Sequence, residues 1–466
     1  MLSVAMASNG EYDRAFITGV LSTGIYCLPS CRACKPKPEN IQFFETAQAA
    51  RDAGLRACKK CRPDDFLEGI DQELDRLERA VSEMRTDPGV SGNVDCLCER
   101  LSCGSSKLFE QIRSHYHTTP GELLAQARVD KACSLLCQTE DGIAEIAFSV
   151  GFESLSTFYD HFGRLTGLAP SAYRKLSTTQ NFKLSLPLSF QKLVLLRYFG
   201  RDSESVSERV RGDEITFAAN GAAGPMVIRF VFTGQEIDGE VQGGCALEAH
   251  PIVVRVLGLK QDPKSFELHA AKLGHQTWFE GREGLRMPLT PSLYDGVVWS
   301  IVGQQVNLAF AYALRRRLTE LVGRKLEFGL LAPPLPSDVA NLAVEDLLPL
   351  KYSRRKAEYL IDLSRLIVSG QVNLDQLALG TATRAERTLL AVRGLGPWSV
   401  HYLLMRAFGF ADCVPLGDTG ITSSLQRQLA LDARPDSSQT KNLLAPFSPY
   451  RTLACLHLWQ SQSFES

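Results

Sequence analysis

Apolar residues recur at helical spacing over most of the chain, and the period changes once, in its middle. In residues 69–85, Leu74, Leu77 and Val81 fall on one face of a charged stretch, which predicts an amphipathic helix. A turn-rich run, residues 86–92, breaks it. From 93 to about 175 the pattern is that of short helices separated by Gly, Ser and Pro. Two pairs read as helix, turn, helix: 94–101 with 105–112, and 143–152 with 154–162. Between them, Thr119 suits a helix cap and Pro120 the first position of a long connecting helix. Residues 177–180 read as a linker. From 181 to about 280 the period shortens. Residues 182–186 and 226–232 predict strands with Gly-rich turns between them, and 189–199 a helix. Helical periodicity returns at Thr290 and continues to the end.

Composition adds bounds. A length of 466 residues leaves room for about three domains. Hydrophobic residues at 44% and charged residues at 22% are ordinary for globular proteins. No apolar run nears the roughly 18 residues of a membrane helix, and the first residues lack a basic end before an apolar stretch. No membrane contact and a cytoplasmic location are expected. The net charge of -1 means that any nucleic-acid contact must come from local basic patches.

The 13 cysteines sharpen the picture, because five crowd between Cys27 and Cys61. In a reducing compartment such a cluster reads as metal or redox chemistry. Two close pairs about thirty residues apart suit tetrahedral zinc held by four thiolates. Spacing leaves two sets open: Cys27, Cys31, Cys58 and Cys61, or Cys31, Cys34, Cys58 and Cys61. Lys35, Lys37, Lys59, Lys60 and Arg62 flank them and offer phosphate contacts. The run Gly24-Ile-Tyr-Cys27-Leu-Pro-Ser-Cys31, then Phe43-Phe44 and Gly54-Leu-Arg56-Ala-Cys58-Lys-Lys-Cys61-Arg-Pro63-Asp64, resembles the Ada-type zinc domain. That resemblance implies one zinc ion on Cys27, Cys31, Cys58 and Cys61, with Cys27 also the acceptor of a methyl group from a methylated DNA phosphate. Cys34 departs from the family pattern. Zinc keeps sulfur as the nucleophilic thiolate. A four-thiolate site is formally a dianion, so methylating one sulfur reduces its repulsion from DNA.

The paired helices bear a second resemblance. Gly151-Phe152, Ser154, Phe158, Phe162, Thr166-Gly167, Pro170 and Tyr173-Arg174 are similar to the signature of AraC-type regulators, a module that follows the zinc domain in Ada-type proteins. The second helix of such a unit enters the major groove. Asp160 and Gly163 stand where the family is usually basic, so Ser105, Ser106 and Lys107 of the first unit are the expected DNA contacts. A regulatory role implies promoter DNA and RNA polymerase as partners.

The third constellation is Val392-Arg-Gly394-Leu395-Gly396-Pro397-Trp398 through Tyr402, followed by Val414-Pro415 and Asp418. Glycines let backbone approach a phosphate, and the next helix offers its N-terminal N–H groups. Together with the segment Ser300-Ile-Val-Gly303-Gln304-Gln305 and the final Leu453–Trp459 segment, this resembles AlkA-type helix-hairpin-helix DNA glycosylases. The resemblance implies Asp418 as catalytic carboxylate and Trp398, Tyr402 and Tyr450 as pocket aromatics. Gln304 and Gln305 lie on the wedge segment, Gly394 and Gly396 meet DNA, and the carbonyls of Val392 and Leu395 hold a monovalent cation. It also implies excision of alkylated bases of the 3-methyladenine type from double-stranded DNA. Trp398, where bifunctional relatives carry lysine, implies no strand cleavage. The competing reading is a non-enzymatic methylation sensor and transcription activator with a vestigial glycosylase domain.

The expected fold is multidomain, mainly α with α+β parts. It comprises a zinc domain (1–68), a double helix-turn-helix (69–176), a TBP-like antiparallel sheet subdomain (181–285) and a helix-hairpin-helix domain (286–466). The expected state is a monomer associated with the nucleoid.

Overall fold

The computed structural model describes residues 1–8, 12–13, 15–31, 33, 35–67, 71–90 and 92–461. Cys34 lies outside the described residues. The chain forms two compact units, Met1–Val81 and Ser82–Ser466.

The first unit is built on four short strands: β1 (Ile17–Val20), β2 (Ile25–Cys27), β3 (Ile41–Phe44) and β4 (Arg56–Ala57), in the order β3-β1-β2-β4. Its core is small: Ile17, Tyr26, Leu28, Ala47, Ala50 and Leu55. So few apolar side chains rarely stabilise a domain of this size unaided, and a metal is the usual supplement. The amphipathic stretch forms the helix Gln72–Thr86, with Leu74, Leu77 and Val81 buried as expected.

The second unit opens with the two helix-turn-helix pairs. Val94–Leu101 and Ser105–Tyr116 form the first; Ile143–Ser149 and Leu155–Thr166 form the second. The long helix Pro120–Gln138 joins them, capped by the Thr119 hydroxyl, which accepts Glu122 N–H at 3.2 Å. Five antiparallel strands follow: β5 (Asn181–Ser185), β6 (Glu208–Arg211), β7 (Glu214–Asn220), β8 (Pro225–Thr233) and β9 (Glu236–Gln242). Their order is β5-β9-β8-β7-β6.

The segment read as a linker is not one. Residues Lys175–Thr178 form a 3-10 turn with Leu176 buried. Thr179 C=O accepts Ala246 N–H and Gln180 C=O accepts Val241 N–H, both at 2.8 Å. One apolar core runs without interruption from Val129 and Phe158 of the second helix pair to Phe230 and Val256 of the sheet subdomain. The polar side chains suggested a loop, whereas the backbone is bonded to β9 and to the first turn of the helix Ala246–Leu257.

A second core, from Phe266 to Leu458, holds the C-terminal helices together. The first helix pair also docks on them. His115 Nδ1 lies 2.8 Å from Thr383 Oγ1, and Asp412 N–H donates to His117 Nδ1 at 3.2 Å. A cavity of about 1240 Å³ lined by Arg113, His117, Cys133, His250 and Tyr450 remains beside this contact. Among the described residues no helix is long and apolar enough to cross a membrane.

Candidate metal centre and active site

Strand pairing builds the cysteine site. β2 pairs in parallel with β4, Tyr26 opposite Ala57, so Cys27 and Cys58 follow side by side. A turn closed by Cys31 N–H on Leu28 C=O returns Cys31, and Arg62 N–H on Cys58 C=O returns Cys61. The four sulfurs lie within 4.8 Å of one another. Tetrahedral zinc at ~2.3 Å from each sulfur asks for separations near ~4 Å, so the set fits the ion. Hydrogen bonding to Cys61, then burial, pushes the Cys27 thiol far up. Burial pushes Cys31 to about 11, whereas the bond from Cys27 draws Cys61 down to about 6. Four crowded sulfurs cannot all ionise without a cation between them.

The surroundings sort the sulfurs. Cys61 Sγ accepts Leu28 N–H at 3.4 Å, and Cys31 accepts Ala33 N–H. Cys27 is bonded to another sulfur by a hydrogen bond. Among the flanking cations, Lys35 is committed inward: its ammonium donates to Ala5 C=O and Cys31 C=O at 2.5 and 2.8 Å. Lys37, Lys59 and Lys60 are exposed.

Asp418 precedes the helix Thr419–Gln428 and caps it, Oδ1 accepting Ile421 N–H at 3.0 Å. Capping does not use up the carboxylate. Oδ1 also accepts the Trp459 indole N–H at 2.9 Å, and Oδ2 the Trp398 indole N–H at 3.1 Å. Among the described residues, Oδ1 therefore has both lone pairs used and Oδ2 only one. Trp398 and Tyr402 sit one turn apart on the helix Pro397–Arg406 and stack at 5.3 Å and 21°. Sequence reasoning missed Trp459 as a site residue. Its signal was a tryptophan at the end of a buried helix, Arg451–Gln460.

Tyr450, expected in the pocket, is placed elsewhere. It stands at the other end of that helix, beside His269 at 5.7 Å and under Arg113 at 5.8 Å. About nine residues of helix separate it from Trp459, roughly 13 Å of rise. It lines the cavity against the first helix pair instead.

The hairpin is braced from the wedge segment. Gln304 Nε2 donates to Gly394 C=O at 2.8 Å and Ser399 Oγ at 3.0 Å, so Gln304 positions the hairpin. Gln305 is exposed with φ +53°, a strained backbone held outward. Gly394 has φ +93°, and an added Cβ would lie 2.3 Å from the Tyr359 ring. Beside Gly396, by contrast, an added Cβ would meet nothing within 4 Å, which leaves its face open to a partner. Val392 C=O already accepts Leu395 N–H at 3.2 Å. Ser105, Ser106 and Lys107 are exposed at the start of the first recognition helix. In the second, Arg164 is engaged by Glu122 at 2.8 Å.

Three family descriptions match in order: the metal binding domain of Ada over residues 2–64, a helix-turn-helix domain over 97–176, and the HhH-GPD superfamily base excision DNA repair protein over 298–449. Two Bacillus subtilis proteins are similar to the chain. A DNA-3-methyladenine glycosylase is 32% identical over 38% of this chain and 59% of its own length. The putative DNA-3-methyladenine glycosylase YfjP is 34% identical over 41% of this chain and 67% of its own. The first of these relatives is thus spanned for less than two thirds of its length. A probable bifunctional transcriptional activator/DNA repair enzyme AlkA from Mycobacterium tuberculosis is 25% identical across 97% of this chain and 94% of its own. The solved 3-methyladenine DNA-glycosylase from Archaeoglobus fulgidus shares the fold, with TM-score 0.54 and 19% identity over 61% of this chain and 99% of that one.

The braced hairpin and Asp418 both lie within the stretch that matches the base excision DNA repair model, so the site falls in that class. The chain belongs to the HhH-GPD superfamily of base excision DNA repair proteins, and carries an Ada metal binding domain and a helix-turn-helix domain ahead of it.

Proposed function

We propose that this protein repairs alkylated DNA at two sites. The C-terminal site hydrolyses the N-glycosidic bond of alkylated bases of the 3-methyladenine type. The observation that carries this is Asp418 held by two indoles, with one lone pair of Oδ2 uncommitted beside the Trp398–Tyr402 stack. The base must leave the helix to be reached. Aromatic faces favour a cationic N-methylated base by ~1–2 kcal/mol when desolvated. As the C1′–N bond breaks, the base takes the electron pair and becomes neutral. Asp418 stabilises the positive sugar and orients water, whose oxygen bonds to C1′ and whose proton returns to solvent. Gly396 and the first turn of Pro397–Arg406 face the phosphate, and the exposed Gln305 enters the vacated space. A monovalent cation on the hairpin carbonyls belongs to the same reading. The absence of lysine at Trp398 supports a monofunctional enzyme. Tyr450, not brought to Asp418, takes no part.

At the N-terminal site, zinc on the four cysteines keeps their sulfurs ionised. Cys27 Sγ attacks the methyl carbon of a DNA methylphosphotriester: the S–C bond forms, the C–O bond breaks, and the phosphate regains its charge. Backbone N–H groups on Cys31 and Cys61 damp those sulfurs, which supports Cys27 as acceptor. Ser105, Ser106 and Lys107 support promoter binding by the first recognition helix, with RNA polymerase as the further partner of a monomer on the nucleoid. The four sequence segments divide this labour between methyl acceptor, promoter reader, sheet scaffold and glycosylase.

A base-release assay on methylated duplex tests the reading, with Asp418→Asn as control. Release by the parent and its loss in the variant are expected. A silent parent would leave the activator-only reading.

A further inference from the structure

The aromatic row beside Asp418 continues past Tyr402. The Trp398 ring lies 3.6 Å from where a Cβ on Gly303 would stand. Gly303 N–H closes a helical turn on Trp299 C=O at 3.0 Å. Trp299 meets Tyr312 edge-on at 5.2 Å.

Into this second group of rings the sheet subdomain inserts a cation. Arg201 is the first residue beyond the helix Lys192–Gly200. Its guanidinium carbon is 3.9 Å from the centre of Tyr198, 4.9 Å from Trp299 and 5.4 Å from Tyr312. Tyr402 is close enough to bear on it electrostatically. Among the described residues Arg201 makes no ion pair, and its Nε is buried with no hydrogen-bond partner. The nearby acid Glu208 is committed to Arg315 at 2.9 Å. Arg406 also stacks on Tyr198, at 4.3 Å, so the group holds a surplus of positive charge.

Resting on the glycosylase reading, we infer that Arg201 is a specificity-determining residue, which donates a hydrogen bond to an uncharged damaged base and so extends release to bases that the faces of Trp398 and Tyr402 do not favour by charge. The chemistry differs between the two substrate classes. A cationic base leaves as a neutral molecule and gains nothing from a guanidinium. Arg201 covers the faces of Tyr198, Trp299 and Tyr312, not those of Trp398 and Tyr402 that hold a cationic base. An uncharged base leaves with the electron pair as an anion, to be protonated by water. A donor at its edge stabilises that developing charge. A buried donor with no partner of its own rewards a base that presents an acceptor, since leaving the donor unpaired is costly.

The test uses the full chain and single-turnover release of two bases: 7-methylguanine, which is cationic, and hypoxanthine, which is neutral with ring and carbonyl acceptors. The parent releases both. Arg201→Met slows hypoxanthine release about tenfold or more through kcat, while 7-methylguanine release holds or rises. Arg201→Lys, which keeps the charge, restores part of the loss. Equal slowing of both bases by Arg201→Met would overturn the inference, because that marks a structural role. Should that variant fail to fold, the parent alone decides. A parent that releases 7-methylguanine but no hypoxanthine overturns this inference and leaves the glycosylase reading standing. A parent that releases neither overturns both.

Discussion

The cysteine site and the aspartate site are made of opposite materials. The first hangs on four short strands with a six-residue apolar core, and its four sulfurs are complete only around a cation. The second is a carboxylate fixed by three N–H donors on helices sunk in the large core from Phe266 to Leu458. Their chemistry divides likewise. On the proposed reading a thioether formed on Cys27 does not revert, so that site acts once. Asp418 is not consumed, so that site turns over. Where stability comes from metal, function and fold fail together. Where it comes from packing, the catalytic group can be lost without the fold.

Metal removal exposes the largest difference. Structural zinc supplies roughly 10 kcal/mol of folding energy in small domains. A chelator is expected to abolish the melting transition of residues 1–81 and methyl uptake together, and to leave the second unit's transition in place. Calorimetry with and without chelator checks this; a fall in both transitions would remove the contrast.

Asp418→Asn comes next. Loss of the charge that meets the sugar cation is expected to slow base release by ~10³ or more, about 4 kcal/mol. Zinc content and methylation of Cys27, read by mass spectrometry, should be unchanged. Methyl appearing on a different cysteine would move the acceptor.

Acid strikes the two units differently. Residues 1–81 contain no histidine. In the second unit burial depresses His250 to about 4 and His457 to about 3, below the ordinary ~6.5. Among the described residues His457 also has no hydrogen-bond partner for either ring nitrogen. Both are neutral when folded, and the unfolded chain binds more protons below pH ~6.5. Their stabilisation is complete above that pH and is lost as pH falls towards about 4, by a few kcal/mol each. The second unit's melting temperature should drop over this window, and His457→Leu should flatten the slope.

The smallest effect isolates Trp459. Trp459→Phe keeps the ring and removes one of the two indole donors to Asp418. About tenfold slower base release is expected, since a hydrogen bond to a charged group contributes ~1.5–3 kcal/mol. An unchanged rate would reduce Trp459 to packing.

What was legible in the sequence follows from range. Trp398, Tyr402 and Asp418 fall within about twenty residues, so the resemblance that marks them rests on one continuous stretch. The zinc ligands were legible because each pair sits on one turn. Trp459 was not, because its indole reaches Asp418 only through the packing of helix Arg451–Gln460. For the same reason Tyr450 was misplaced: both residues belong to that helix and its cap, and only its orientation tells which end meets the aspartate. Gln304 read as part of the wedge because the sequence shows an amide and not its partner, the Gly394 carbonyl. Residues 177–180 looked like a linker because their side chains are polar, whereas the Gln180 carbonyl is bonded to β9 and the Thr179 carbonyl to the first turn of the helix Ala246–Leu257.

The central claim is that one chain carries a single-use site and a recurring one. The most direct measurement follows both products from excess duplex bearing methylphosphotriesters and 7-methylguanine. Methyl transfer to protein should stop at one per chain, on Cys27, while free base continues to accumulate over many turnovers. Base release that stops with methyl transfer, or methyl transfer that never reaches one per chain, would contradict it.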